Sequence, residues 1–347
     1  MRVLLLGPYP PPHGGVETNL VDIRSFLLKR GIPCAVINIT RHRKAEADEI
    51  YYPKGGAQLL RFLVHLRYDI LHLHVGGLLS RRVLRLGLAC SLIPAKQTVF
   101  TFHSGGYPST PQGRSTGPRS FDGLVLRRFD RLIAVNQEIM QFFLKLGVSQ
   151  ERVRLIAPHA FPEGENYEGF LPEPLATFFT QHQPVFISAG QLEPEYDLPV
   201  QIEALARVRA NFPKAGLVLL GHGSLEHELR NRIQADRFTA DILLSGDIPH
   251  AVAMQAISRA DLMLRTTLYD GDAISVREAL HLGTPVIATD NGMRPAGVRL
   301  VPTSNVQALQ EAIEQELAAS AGRARERSGA DESNLQAVLD LYRELLN

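Results

Sequence analysis

The sequence predicts an α/β protein built as two halves of one architecture. Three observations carry this. Short apolar runs alternate with helix-spaced patterns from end to end, the order that parallel sheets and their covering helices require. A stretch rich in Pro, Gly and Glu, residues 161–183, breaks the rhythm once, near the middle. The length of 347 residues suits two domains of ordinary size.

The elements follow in order. Residues 2–6 read as a strand, and the apolar run from Val3 to Leu6 marks it as buried on both faces. Val16, Leu20, Ile23 and Leu27 then fall on one face of a helix. Residues 34–39, 70–73, 99–102, 132–135 and 153–156 read as further strands, with helical stretches near 59–66, 78–90 and 138–146. The second half restarts with a strand at 185–189. A helix at 198–209, a strand at 216–220, a helix at 225–234 and strands at 242–244 and 262–264 come next. Gly283 ends the following helix, and 285–288 is a short apolar strand. A helix near 306–317, a polar connector over 318–332 and a last helix near 334–346 finish the series.

Composition narrows the class. A hydrophobic fraction of 45% is that of a globular protein in water. Cys34 and Cys90 sit in apolar surroundings and read as buried thiols, not as a disulfide framework or a metal site. The apolar run at the start is too short for a signal peptide, and no run approaches the roughly 18 residues of a membrane span. A cytoplasmic location is therefore expected. The net charge of +1 hides an asymmetry: residues 1–165 hold 22 Lys and Arg against 12 Asp and Glu, the remainder 15 against 24. A basic half can meet anionic lipid at the inner face of the membrane, or an anionic acceptor. Equally, two halves of opposite sign can attract each other. Nucleic acid is not an expected partner.

The most informative stretch is Leu268-Tyr269-Asp270-Gly271-Asp272-Ala273-Ile274-Ser275-Val276-Arg277-Glu278-Ala279-Leu280, followed by His281-Leu282-Gly283-Thr284-Pro285-Val286. Two carboxylates, Asp270 and Glu278, flank a glycine turn and the first turns of a helix. Backbone N–H groups at a helix start, here Gly271, Asp272, Ala273 and Ile274, suit a phosphate. A carboxylate just before that start can accept from sugar hydroxyls. A second, about two turns on, can take the two hydroxyls of a ribose. The plainer reading is an N-capping Asp and a surface Glu.

This stretch resembles the E-x7-E signature of retaining glycosyltransferases of family 4, with Asp270 in place of the first Glu. The resemblance extends along nearly the whole chain. It implies the GT-B fold, two Rossmann-like domains facing each other across a cleft. The expected boundaries are an acceptor-side domain at 1–165, a linker at 166–183 and a nucleotide-sugar domain at 184–330. A helix at 333–347 is expected to pack back on the first domain.

Further motifs acquire roles through the resemblance. Gly14-Gly15-Val16-Glu17 lies between the first strand and the first helix, where the family places a glycine pair beside the donor diphosphate. The family carries a His after the strand that ends at Phe102. There it steadies the transferred sugar, which makes His103 and Asp270 the catalytic candidates. Gly221-His222-Gly223-Ser224 resembles the family's Gly-Asp-Gly-Pro, and Leu244-Ser245-Gly246-Asp247-Ile248 the loop that holds the base. Donor-binding candidates are thus Gly14, Gly15, Gly190, Gly221, Gly223, Ile248, Gly271, Asp272, Ala273, Ile274 and Glu278. His72, His74 and His103 could suggest a metal. No carboxylate or thiol cluster joins them, so no metal is expected, and no cofactor beyond the nucleotide-diphosphate sugar, which is a substrate.

One departure matters. The family reads Gly-Arg-Leu and then a Lys after the strand at 185–189, two cations for the donor diphosphate. This chain reads Gly190-Gln191-Leu192-Glu193-Pro194-Glu195-Tyr196-Asp197. The leaving charge still has to be offset. Arg294 is the preferred substitute, with Arg277, Arg265 and the helix start as alternatives.

The implied activity is transfer of a sugar from a nucleotide-diphosphate donor to a hydroxyl of a saccharide or lipid-linked acceptor, with retention, in cell-envelope synthesis. Two alternatives stay open: a nucleotide-sugar 2-epimerase of the same fold, and a non-catalytic relative that only binds.

Overall fold

The computed structural model describes residues 1–10, 15–40, 48–94, 96–159, 161, 169–235, 238–269, 273–290, 294–320, 327–329 and 331–347. The chain forms two compact units. The first comprises Met1–Pro162 with Ala330–Asn347, the second Glu163–Gly329.

Strands β1 (Val3–Gly7), β2 (Cys34–Asn38), β3 (Ile50–Tyr51), β4 (Ile70–Val75), β5 (Gln97–Phe102), β6 (Arg131–Ala134) and β7 (Val153–Leu155) belong to the first unit. They pair in the order 3-2-1-4-5-6-7, every pair parallel. In the second unit β8 (Val185–Ala189), β9 (Gly216–Leu220), β10 (Ile242–Gly246), β11 (Leu262–Arg265), β12 (Val286–Thr289) and β13 (Val298–Val301) pair in the order 10-9-8-11-12-13, again all parallel. Both are doubly wound. The strand order reverses between β1 and β4 in one unit and between β8 and β11 in the other. In such sheets ligands bind outside the carboxyl ends of the strands at that switch point.

Each sheet is buried on both faces, which is why its strands read as unbroken apolar runs. Leu4, Leu6, Leu71, Leu73, Phe100 and Phe102 face one core of the first unit. Val3, Leu5, Val36, Ile70 and Val99 face the other, beneath helix Gly15–Lys29. Helix Ser333–Leu346 packs there too, burying Leu335, Val338, Leu339, Leu341 and Tyr342 beside Leu20, Ile23, Phe26 and Leu27. Polar residues set the helix starts. Ser80, Thr110, Ser120 and Asn136 each accept the backbone N–H three residues on, at Val83, Gly113, Gly123 and Ile139. Such a cap is worth about 1 kcal/mol.

In the first unit, β3 and the short helices Pro111–Ser115 and Phe121–Leu126 are additional to the sequence expectation; in the second unit three elements depart from it. Helix Leu175–Gln181 lies within the stretch expected to be linker, and Leu175 and Phe178 are buried against Val185, Val218 and Met263 of the second unit. Helix His250–Arg259 is not expected from the sequence, because its three alanines carry little apolar contrast. Strand β13 is likewise not expected from the sequence. It is an edge strand with Arg299 in its middle, paired to Glu316 at 3.0 Å.

Candidate functional site

At the switch point of the second unit, the carbonyl oxygen of Ala189, last residue of β8, is a meeting place. It accepts from Arg265 Nη1 at 2.8 Å and from Ser275 Oγ at 3.3 Å. Arg265 ends β11 and is only 6% exposed. Its guanidinium carbon lies 4.6 Å above the Tyr196 ring, a cation–π arrangement. Ser275 belongs to helix Ile274–His281, whose N-cap is Ala273, a residue with no side-chain acceptor for the first N–H groups.

Backbone approach here leaves no space for side chains. A Cβ at Gly190 would run into the Tyr196 ring and stand 2.8 Å from Arg265 Nη1. One at Gly221 would strike the Gly190 carbonyl, and one at Gly223 the Leu192 backbone. The loops after β8, β9 and β10 are laced together. Gly221 N donates to Gly246 O at 3.0 Å, Leu192 N to His222 O at 3.0 Å, and His222 Nδ1 to Asp247 Oδ1 at 2.8 Å. Glu193 accepts from both the side chain and the backbone N–H of Ser224, and those bonds hold its carboxyl below the ordinary value.

Arg294 reaches the same sheet end. Its Nη2 donates to Thr267 Oγ1 at 2.7 Å and its Nε to Thr289 O at 3.1 Å. Thr266, beside Thr267, donates to Tyr196 O at 2.8 Å. Gln191, at the position of the family's Arg, is exposed. Glu278 is buried, 7% exposed, and accepts from His250 Nε2 at 2.7 Å. Ile248 packs against the cluster that holds Ala273 and Val276. The structure thus brings Gly190, Gly221, Gly223, Ala273, Ile274, Arg294 and Glu278 to one end of one sheet, with Arg265 among them. Asp270, Gly271, Asp272 and Gly14 lie outside the described residues.

In the first unit, Gly15 opens the helix that follows β1, and a Cβ at Gly76 after β4 would meet Val16 at 2.9 Å. His103 follows β5 there. Its Nε2 lies 3.1 Å from Nδ1 of His74 on β4. His72, two residues earlier, bonds Tyr342 OH through Nδ1 and Thr101 Oγ1 through Nε2, both at 2.6 Å. Burial drives all three imidazoles towards the neutral form, His103 down to about 3 and His72 and His74 well below 6.5, with the neighbouring histidines adding to the effect on the latter two. Among the described residues no group of His, Cys, Asp or Glu is arranged to hold a metal.

No local pattern points to the His250–Glu278 and His72–Tyr342 contacts. Their partners stand 28 and 270 residues apart, so only the topology brings them together.

Two family models match. Residues 13–159 fit the description "Glycosyltransferase Family 4" and residues 176–331 "Glycosyl transferases group 1". The chain is 25% identical over 317 residues to a phosphatidyl-myo-inositol mannosyltransferase of Mycobacterium tuberculosis, covering 84% of this chain and 78% of that one. Among solved structures it resembles HepE of Anabaena, crystallised with UDP and glucose, with a TM-score of 0.67 at 17% identity, covering 99% of this chain and 100% of that one. Sucrose-phosphate synthase of Thermosynechococcus elongatus gives 0.67 at 18% identity, covering 100% and 99%. The two parallel-sheet units and these likenesses define a GT-B glycosyltransferase. The chain belongs to the glycosyltransferases of family-4 type.

Proposed function

We propose that the protein moves a sugar from a nucleotide-diphosphate donor to a hydroxyl of a saccharide or lipid-linked acceptor, with retention at the anomeric carbon. One observation carries the reading. A buried arginine, glycines with no space for a Cβ and the start of a helix all meet at the switch point of the second sheet. That is the chemistry a diphosphate needs: fixed positive charge, backbone N–H groups and close approach.

In this reading Glu278 holds the ribose, Ile248 lies at the base, and Asp270 accepts from the sugar hydroxyls. Arg265 and Arg294 offset the leaving charge in place of the family's Arg and Lys. His103 meets the transferred sugar. The acceptor attacks the face from which the diphosphate departs, and the leaving phosphate takes the acceptor proton. The protein contributes position and electrostatics, with no covalent intermediate and no metal.

Donor candidates follow from the relatives. HepE was solved with UDP-glucose, and the mycobacterial relative is named for mannosyl transfer to phosphatidyl-inositol. UDP-glucose and GDP-mannose are therefore the first to try. Acceptor-dependent release of nucleoside diphosphate, unaffected by a chelator and with the α-configuration kept in the product NMR spectrum, is the expected result. Epimerisation of the donor without acceptor would overturn the reading, and so would binding without turnover across the donor panel.

A peripheral membrane contact is part of the proposal. Among the described residues no helix is long and apolar enough to cross a membrane. Helix Gly56–His65 exposes Leu60 and Val64 beside Arg61, and helix Arg81–Ser91 exposes Arg81, Arg82 and Arg85. Apolar side chains flanked by fixed positive charge favour an anionic bilayer. Flotation with phosphatidylglycerol vesicles, lost on Arg81→Glu/Arg85→Glu, would support it. Equal flotation with neutral phosphatidylcholine would refute it.

A further inference from the structure

We infer that His74 is a positioning residue that fixes the tautomer of His103, so that His103 presents a protonated Nδ1 to its ligand. The inference rests on the reading of His103 as a donor-sugar residue for its purpose, though not for its geometry.

The argument is a count of protons. A neutral imidazole carries one N–H and one lone pair. His74 Nδ1 and His103 Nε2, 3.1 Å apart, share a single hydrogen bond and therefore a single proton. The ring centroids lie 5.4 Å apart and the planes differ by 22°, as two imidazoles joined through facing nitrogens in nearly one plane require. Either His74 donates or His103 does.

The far side of His74 decides between them. Its Nε2 is buried and has no hydrogen-bond partner, and the residue as a whole is 1% exposed. If His103 donated, His74 would carry its own proton on that Nε2, leaving a buried N–H unpaired. If His74 donates, the buried Nε2 holds only a lone pair. Orphaned buried N–H groups are the rarer and more costly case. The proton therefore sits on His74 Nδ1. His103 Nε2 accepts it, and the remaining proton of His103 must lie on Nδ1.

Two neighbours hold His74 in this role. The His72 ring packs against it, centroids 3.9 Å apart, and His72 is itself tethered at both nitrogens, to Tyr342 and to Thr101. The neighbouring strand β1 also comes close, so that a Cβ at Gly7 would meet His74 Cβ at 3.1 Å. His74 has little freedom to turn its ring over. The free Nδ1 of His103 makes no hydrogen bond among the described residues and remains available to a ligand. As an N–H donor it selects an acceptor atom: a sugar hydroxyl oxygen or a phosphoryl oxygen. It stays a neutral donor at working pH and does not act as a base.

The full-length protein labelled with nitrogen-15 histidine tests this without any substrate. Long-range proton–nitrogen correlation spectra distinguish the two tautomers of each ring. The expected spectrum shows His103 protonated on Nδ1. In His74→Leu the His103 signal should move to the Nε2–H form or to a mixture, and turnover should fall about tenfold with donor KM changed less. A wild-type His103 protonated on Nε2 overturns the inference, and so does an unchanged tautomer in His74→Leu. Unchanged turnover in a variant whose tautomer has moved would overturn the functional purpose of the lock. The tautomer is read in the free protein, so its failure is distinct from failure of the proposed transferase reading.

Discussion

His250 Nε2 stands 2.7 Å from Glu278 Oε1, joining the first turn of one helix to the middle of the next. The carboxylate of the signature helix is thus oriented before any ligand arrives. Orientation by a fixed partner is how a buried acid keeps its remaining lone pairs aimed.

Glu278→Ala should weaken binding of the nucleotide diphosphate. Each hydrogen bond to a charged group is worth about 1.5–3 kcal/mol, so a loss of ten- to a hundredfold is expected by calorimetry. His250→Ala should cost less, because the carboxylate stays in place without its guide. A folded Glu278→Ala variant with native affinity would take this residue out of the site.

Asp270→Ala should lower turnover and sugar selectivity while binding of the nucleotide diphosphate stays near normal. The motive is its position in the sequence, four residues before Ile274, which opens the signature helix. An equal fall for donor and for free nucleotide diphosphate would show that the assigned role is wrong.

The architecture was largely legible because both sheets are buried on two faces and therefore print continuous apolar runs. Helix His250–Arg259 is not legible because alanines separate inside from outside poorly, nor is β13, because an edge strand carries Arg299. The site was legible where it is local, as in the loops at Gly190 and Gly221. Contacts such as Arg265 over Tyr196 or His72 on Tyr342 depend on which strands neighbour each other, and no spacing in the chain encodes that.

Arg265→Ala and Arg294→Ala should both shrink the difference in affinity between nucleotide diphosphate and monophosphate, and Gln191→Ala should leave it alone. Arg265 should matter most, since its guanidinium lies against Gly190 and Tyr196, in the segment where the sequence lacks the Arg and Lys of the family pattern. Arg265→Lys should not rescue, because an ammonium cannot fork onto two oxygens. An undiminished difference in Arg265→Ala would leave Arg294, Arg277 and the helix start to carry the charge.

Acid should destabilise the first unit before it touches the second. Unfolded, His72, His74 and His103 take up protons as pH falls through about 6.5; folded, they stay neutral, His103 down to about 3. Between those values the unfolded chain binds more protons, so stability falls as pH drops and is recovered above about 6.5. Each such group contributes a slope of about 1.4 kcal/mol per pH unit. Urea unfolding at pH 7 and pH 5 should show the loss, and His103→Asn should reduce it without abolishing it, because His72 and His74 remain. A stability unchanged across that interval would mean the three rings accept protons in the folded state.

Tyr342, which tethers His72, sits on the helix Ser333–Leu346, yet every strand of its sheet lies before residue 156. The second unit is therefore an insertion inside the first. A ribosome finishes all seven strands of the first sheet, then translates the whole of the second unit, before the helix that covers Leu20, Ile23 and Phe26 can emerge. During that interval the nascent first unit shows a bare apolar strip. It is then a substrate for chaperones, and a stop codon just before Ser333 would leave it one permanently.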